Sequence, residues 1–417
     1  MSDTQLPQVV LGVGGGIAAY KVCELLRRLT ESDHRVRVVP TADALRFVGE
    51  PTWAALSGQP VVTDVWDGVH EVPHVRIGQS ADLVLVAPAT ANILAKAAAG
   101  LADDLLTNTL LTARCPVIFA PAMHTEMWEH PATQDNVATL RSRGALVLDP
   151  AVGRLTGADT GRGRLPEPES LLEVARSVLR RGATGTDLAG RRVVISAGGT
   201  REAIDPVRFI GNHSSGRQGY ALARTAAARG AEVTLVAANV SLPEPAGVRI
   251  IPVVSTAELS EVMAAERIGA DAVVMAAAVA DFRPVSDAES KIKKAEGPPP
   301  PIALAENPDI LLELVRTRAQ RAPEQIIVGF AAETDNVVAN GQAKLERKGC
   351  DLLVVNQVGQ GRAFGTKDNQ ASILSPDGPA VEFSHGPKEN LADQVWDLVQ
   401  ERLAESDEQD TGLDSSR

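Results

Sequence analysis

Twice along this chain an apolar, β-branched run breaks into glycines and reopens as a helical pattern, and that repeat limits the fold more than any other feature. Residues 8–12 run into Gly14, Gly15 and Gly16 and then into an amphipathic stretch at 17–29. Residues 193–195 turn through Ala197, Gly198, Gly199 and Thr200, and a second helical pattern opens after Asn212, His213, Ser214, Ser215 and Gly216. A strand, a glycine turn and a helix start bring backbone N–H groups and the positive end of a helix dipole toward an anion. Strands alternating with helices predict parallel open sheets. The expected fold class is therefore α/β, with two tandem open-sheet domains, the first flavodoxin-like or Rossmann-like and the second Rossmann-like. At 417 residues the chain exceeds what one core supports. A polar, glycine-rich stretch at 181–190 reads as a linker, so domains are expected at 1–180 and 191–404, with a disordered acidic tail at 405–417.

Charge and cysteine content narrow the partners. Lys+Arg 41 against Asp+Glu 53 gives a net charge of −12, which disfavours a nucleic-acid or anionic-membrane partner, since binding phosphate backbones needs a basic face. Cys23, Cys115 and Cys350 have no CxxC spacing and cannot all pair, which points to a reducing compartment and no cysteine zinc site. No apolar run reaches membrane-spanning length, and the first residues, MSDTQLPQ, lack a basic leader pattern. A soluble, cytoplasmic protein is expected.

The first half offers several candidate sites. Gly14-x-Gly16-x-x-Ala19 satisfies a loose dinucleotide fingerprint and admits a nicotinamide-dependent dehydrogenase. That fingerprint expects an acidic residue after the second strand, at 35–39; Thr41 stands there instead. A short hydroxyl suits a phosphate oxygen, which favours a mononucleotide such as FMN over NAD. His70-Glu71-Val72-Pro73-His74 matches HExxH, but zinc chemistry needs both histidines on one helical face. Pro73 and the nearby Gly68 and Gly78 predict no helix there. His74 remains as a loop histidine able to act as a base near neutral pH. Two further loops, from Pro88-Ala89-Thr90 to Asn92 and from Pro121 through Met123 and His124 to Trp128, follow expected strands. They lie at strand C-termini, the edge where open parallel sheets bind ligands. Glycines 153, 157, 161 and 163, interleaved with Arg154, Arg162 and Arg164, predict a mobile flap around Thr156.

The second half lacks a GxxxxGK[ST] loop, which argues against a P-loop ATPase. An expected strand at 271–278 leads to Ala280-Asp281-Phe282-Arg283-Pro284, and then Lys291, Lys293 and Lys294. Close lysines beside a strand end, in an acidic protein, fit a triphosphate. Asn307 is the expected N-cap of a helix with Pro308 at its first position. A strand at 325–330 ends in Gly329-Phe330, and the next helix places Lys344 and Lys348 on one face. Strands at 350–356, 371–374 and 380–384 close the sheet.

In order, GGIAAYK (15–21), APATAN (87–92), PAMHTEMW (121–128) and the glycine flap resemble the flavin-dependent cysteine decarboxylases, in particular phosphopantothenoylcysteine decarboxylase. DPVRFIGNHSSG, AAAVADFRP, KIKK, NPDI and GFAAET resemble phosphopantothenate–cysteine ligase. The bacterial bifunctional form joins the two in this order.

The resemblance implies that 4′-phosphopantothenate, cysteine and CTP, with Mg2+, give an acyl-cytidylate and then phosphopantothenoylcysteine, releasing pyrophosphate and CMP. An FMN-dependent step then removes CO2 to leave 4′-phosphopantetheine. Decarboxylating a cysteinyl carboxylate directly leaves a carbanion with no sink; hydride removal from the thiol-bearing carbon makes a thioaldehyde that accepts the electron pair. The thiol, with an ordinary pKa of about 8.5, must first lose its proton to a base.

By matching motif, the resemblance implies His74 as the decarboxylase base, Met123 and His124 as substrate contacts, and Gly15, Gly16, Ile17, Thr41, Pro88, Ala89 and Thr90 around FMN. It implies Asp281, Lys291, Pro308, Asp309, Ile310, Leu311, Phe330, Lys344 and Lys348 around CTP. Asn212 would steady the acyl-cytidylate, Lys291 would serve its turnover, and Arg208 would meet the substrate phosphate. Metal ligands are not assigned. A homo-oligomer is implied, a dodecamer of trimeric decarboxylase and dimeric ligase units. Two positions depart from the pattern: His124 replaces the usual asparagine, and Thr156 replaces a common flap cysteine. Those departures keep a third reading open, a flavin- or nucleotide-binding regulatory protein without catalysis.

Overall fold

The computed structural model of the protein describes residues 6–62, 72–155, 159–182, 185–292, 301–321, 324–333, 336–357 and 368–414. The chain divides into two compact units, one of Met1–Ala189, Ala227–Ala231 and Glu244–Gly247, the other of Gly190–Ala226, Glu232–Pro243 and Val248–Arg417. The main boundary falls inside the stretch read as a linker.

In the first unit, β1 (Gln8–Val13), β2 (Arg35–Pro40), β3 (Leu83–Ala89), β4 (Val117–Pro121) and β5 (Leu146–Val147) form one sheet in the order β2-β1-β3-β4-β5. All its pairings are parallel. This is the flavodoxin order, whose ligand crevice lies where the order reverses, between β1 and β3. The helices are α1 (Ala19–Thr30), α2 (Glu50–Ser57), α3 (Pro73–Ser80), α4 (Ala91–Ala99), α5 (Leu105–Thr112), α6 (Thr125–Glu129), α7 (Pro131–Ser142) and α8 (Pro168–Arg181). Side chains alternate across the sheet. Leu11, Leu83 and Leu85 enter one buried cluster with Leu25 and Leu26 of α1, while Val10, Val84 and Val86 enter another with Ile93, Leu94 and Leu106. Burial on both faces explains why these strands read as continuous apolar runs. The expected flap has a regular base: β6 (Ala151–Arg154) and β7 (Thr160–Arg164) pair as an antiparallel hairpin. Thr156 lies outside the described residues.

The second unit holds an eight-stranded sheet in the order β12-β11-β8-β13-β16-β17-β18-β19. Its strands are β8 (Arg192–Gly198), β11 (Glu232–Ala238), β12 (Val248–Val253), β13 (Ala272–Met275), β16 (Ile326–Glu333), β17 (Leu352–Gln357), β18 (Asp368–Leu374) and β19 (Val381–Pro387). The pairings from β12 to β17 are parallel, in the doubly wound arrangement that reverses between β8 and β13. The pairings β17 to β18 and β18 to β19 are antiparallel. Two short hairpins, β9 (Arg201–Ala203) with β10 (Phe209–Gly211) and β14 (Phe282–Pro284) with β15 (Leu304–Glu306), follow β8 and β13. The helices are α9 (Arg217–Ala228), α10 (Thr256–Glu266), α11 (Ile310–Arg316), α12 (Arg318–Arg321), α13 (Val337–Lys348) and α14 (Lys388–Asp414).

Helix α14 corrects the expected tail, because it runs through the stretch from 405 to Asp414 that composition reads as disordered. Leu391, Val395, Val399 and Leu403 recur every fourth residue and are buried, as is Trp396, whose Nε1 donates to the Leu222 carbonyl oxygen at 2.9 Å. Once that face has docked, each further residue adds a helical hydrogen bond without a new nucleus. Asp407 also pairs with Arg191.

Candidate functional site

Three loops meet at the reversal point of the first sheet. The Gly14 N–H donates to the Pro88 carbonyl oxygen at 3.1 Å, and a Cβ on Gly14 would sit 2.3 Å from that oxygen. A Cβ on Gly15 would sit 2.3 Å from the Asp43 Cβ. The glycines therefore allow a closeness that no side chain could share. Thr41 follows β2, and its Oγ1 accepts from the Ala44 N–H at 3.2 Å. Thr90 caps α4, its Oγ1 accepting from the Ile93 N–H at 3.3 Å, a contact worth about 1 kcal/mol. Ile17 is exposed just before α1. Gly15, Gly16, Thr41, Pro88, Ala89 and Thr90 thus lie at or just beyond the C-terminal ends of β1, β2 and β3, the edge where open parallel sheets bind ligands. The 121–128 loop joins them through the Ala122 N–H, which donates to the Ala89 carbonyl oxygen at 3.2 Å.

That loop is fastened to the flap base as well. The Met123 N–H donates to the Gly163 carbonyl oxygen at 2.9 Å. His124 is the N-cap residue of α6, but its side chain makes no capping bond and is exposed. It is free to meet a ligand.

His74 is not on a loop. Pro73 is the first residue of α3, where its missing N–H costs nothing, so the proline opens a helix instead of breaking one. Gly78 sits inside α3 because α5 leaves no room for a side chain: a Cβ there would lie 2.3 Å from Thr112 Oγ1. That hydroxyl donates to the His74 carbonyl oxygen at 2.8 Å. The Nδ1 of His74 is buried and has no hydrogen-bond partner among the described residues. A buried ring nitrogen without a partner is costly. His70 and Glu71 lie outside the described residues.

In the second unit, a run of contacts joins several expected site residues. Asn212 Nδ2 donates to the Val279 carbonyl oxygen at 2.8 Å, and the Asn307 N–H donates to the Asp281 carbonyl oxygen at 2.8 Å. Asp309, two residues on, pairs with Lys348, and Lys344 lies 3.9 Å from Glu333. Phe330 is half-buried in β16, while Ile310 and Leu311 are buried at the start of α11. Lys291 is exposed, and Lys293 and Lys294 lie outside the described residues. Arg208, expected at a substrate phosphate, donates from Nη2 to the Ile292 carbonyl oxygen at 2.8 Å.

Asn307 is not the cap of α11. Asp309 is, with Oδ1 accepting from the Leu312 N–H at 3.1 Å. Asn307 is engaged elsewhere, its Nδ2 donating to the Ala280 carbonyl oxygen at 2.9 Å. Burial works to raise the Asp309 carboxyl pKa, but Lys348 and the Leu312 N–H outweigh it and hold the group below its ordinary value. Burial pushes the Cys350 thiol up to about 11, with Asp351 adding to the effect, so it is no thiolate near neutral pH.

Sequence reading missed a buried polar network beneath this edge. Thr200 Oγ1 lies 3.0 Å from Thr256 Oγ1 and accepts from the Ala280 N–H at 2.9 Å. Glu202 Oε1 accepts from both the N–H and the hydroxyl of Thr256, at 2.9 and 2.8 Å. Together they fix the turn that carries Asp281. The only hint in the sequence was their place just beyond an expected strand.

Comparisons with known proteins place the chain in a family. A family model described as Flavoprotein matches residues 2–180, and one described as DNA/pantothenate metabolism flavoprotein C-terminal domain matches residues 188–403. The coenzyme A biosynthesis bifunctional protein CoaBC of Mycobacterium tuberculosis is 59% identical over 405 residues, covering 95% of this chain and 97% of the relative. The chain belongs to the CoaBC family. The Bacillus subtilis CoaBC is 41% identical over 400 residues, covering 95% of this chain and 96% of its own. Among solved structures, the C-terminal domain of a CoaBC covers 53% of this chain and 99% of its own, at 33% identity and a TM-score of 0.45. The FMN-dependent cysteine decarboxylase SpaF covers 42% and 97%, at 34% identity and a TM-score of 0.37. By its family, the protein is a bifunctional enzyme of coenzyme A biosynthesis, a flavoprotein decarboxylase followed by a ligase, and not a nicotinamide-dependent dehydrogenase. Among the described residues no helix is long and apolar enough to cross a membrane.

Proposed function

We propose that the second unit joins 4′-phosphopantothenate to cysteine by way of an acyl-cytidylate made from CTP, and that the first unit decarboxylates the product to 4′-phosphopantetheine. The observation that carries the ligase reading is a set of three contacts whose partners are two residues apart in sequence: Asn212 to Val279, Asp281 to Asn307, and Asp309 to Lys348. A carboxylate is a poor electrophile, and a cytidylyl anhydride gives it a leaving group. Lys344, Lys348 and Lys291 neutralise the triphosphate, with Asp281, Phe330 and residues 308–311 around the nucleotide. Asn212 Nδ2 has a second N–H beside the one it gives to Val279, and it donates this to the acyl-cytidylate as charge develops. Mg2+ enters as the usual companion of the CTP phosphates.

In the first unit, the glycine loop with Thr41 and Thr90 holds the phosphate of FMN. When bound, FMN supplies the hydride acceptor for the thiol-bearing carbon. His74 takes the thiol proton, its buried Nδ1 ready for a partner. Met123 and His124 grip the substrate from a loop tied to the flap. Thr156 is too weak an acid at neutral pH to return a proton to the product, which leaves water, His124 or another flap residue as the donor. The assembly is a homo-oligomer, a dodecamer of trimeric decarboxylase and dimeric ligase units, in the cytoplasm.

The ligase reading is tested by incubating the protein with CTP, magnesium and phosphopantothenate but no cysteine. One equivalent of pyrophosphate per second unit, with CMP withheld until cysteine is added, is the expected result. CMP released equally well without phosphopantothenate would overturn it.

A further inference from the structure

One carboxylate in the second unit is more heavily engaged than its local turn requires. The Asp205 side chain has no exposed surface. Its Oδ1 accepts from the Val207 and Arg208 N–H groups, each at 2.8 Å, which is an ordinary way to close a turn. Its Oδ2 accepts from the Ile292 N–H at 3.2 Å, 87 residues away in sequence. From the same turn, Arg208 Nη2 donates to the Ile292 carbonyl oxygen at 2.8 Å, and Arg208 Nε lies 3.7 Å from Asp205 Oδ2. Both the N–H and the carbonyl of Ile292 are therefore held by the 205–208 turn, one residue beyond Lys291. Burial alone would raise the Asp205 pKa, yet the three backbone donors and Arg208 keep it below the ordinary carboxylate value. It stays an anion. An asparagine there would keep one acceptor oxygen but turn an NH2 group toward an N–H donor.

We propose that Asp205 is a positioning residue for the ligase reaction: with Arg208 as a second fastening, it fixes the backbone at Ile292 and so aims Lys291. This rests on the reading of Lys291 as a residue needed for turnover of the acyl-cytidylate. An exposed lysine on an untethered segment would lose much of its effect to misplacement, and two fastenings on one peptide remove that freedom.

The test is a double-mutant cycle on cysteine-dependent CMP release, combined with amide hydrogen exchange. Asp205→Asn should lower the rate by at least about tenfold in the wild-type background but by less than about threefold in the Lys291→Gln background, because the two residues act as one unit. Exchange at the Ile292 amide should quicken by at least about tenfold, with the β8 amides unchanged. Equal fold losses in both backgrounds, or an unaltered Ile292 amide, would overturn the proposal. If Lys291→Gln left turnover intact, the reading of Lys291 would fail, and the role of Asp205 with it. Should Asp205→Asn not fold, Arg208→Met removes the second fastening alone. The same cycle with Lys291→Gln must then give the same non-additive pattern, and additivity would refute it.

Discussion

The nucleotide sites proposed for the two units are built by opposite means. The loops of the first unit that meet at its reversal point are backbone and hydroxyl: Gly14 against Pro88, Gly15 against Asp43, Thr41 and Thr90 at the helix starts. The edge of the second unit is built from charged side chains that already have partners, Lys344 beside Glu333, Lys348 on Asp309 and Arg208 on Ile292. The contrast fits the lifetimes of the two ligands. A resident cofactor is kept by shape, which needs close approach and no exchange. A co-substrate that enters and leaves each turnover is held by charges that trade one partner for another.

Breaking each half of that contrast gives different losses. The largest is expected for His74→Asn, which removes the proposed base and should cut CO2 release from phosphopantothenoylcysteine by about 10²–10⁴-fold while leaving the flavin colour and CMP release intact. Normal CO2 release would remove His74 from its role. Next comes Asn212→Asp, which replaces an N–H donor with an anion and should lower amide formation by about 10²–10³-fold, measured as phosphopantothenoylcysteine output. Gly14→Val tests the shape-built site directly. Its side chain must collide with the Pro88 carbonyl, and the purified protein should carry at least about tenfold less flavin by its blue absorbance, with ligase activity retained.

The smallest effect sharpens the charge-built side. Asp309→Asn frees Lys348 and should lower the KM for CTP by a few-fold, since one competitor for the lysine has gone. Asparagine caps α11 about as well as aspartate, so the stability cost of the same change is the lost pairing with Lys348, at most about 1 kcal/mol near neutral pH. Because the folded-state pKa of Asp309 is depressed, its contribution is complete above the ordinary value of about 3.9 and is lost as pH falls through the lower folded value. The stability gap between wild type and Asp309→Asn, followed by thermal melts, should therefore narrow as the solution is acidified. A gap that widens would contradict the sign.

Much of this architecture was legible because its causes are local. Buried parallel strands must be apolar on both faces, and the glycines after β1 and β8 mark where chain meets chain. What stayed hidden depends on partners far away in sequence. Asn307 and Asp309 are equally good caps beside Pro308; only the bonds from Asn307 to Ala280 and Asp281 decide between them. Gly78 reads as a helix breaker until α5 is seen pressed against it. Glu202 and Asp205 look like solvent-facing loop acids, yet both are buried on donors from distant segments. The residues from 405 carry no apolar stripe, and their helix is inherited from the docked turns before them.

The account stands most directly on one coupled measurement: the purified protein with phosphopantothenate, cysteine, CTP and magnesium, with CMP and CO2 followed together. It predicts CMP and CO2 in equal amounts at completion, with CMP first and neither formed when cysteine is left out. CO2 released without CTP consumption, or CTP untouched in the presence of both acids, would contradict it.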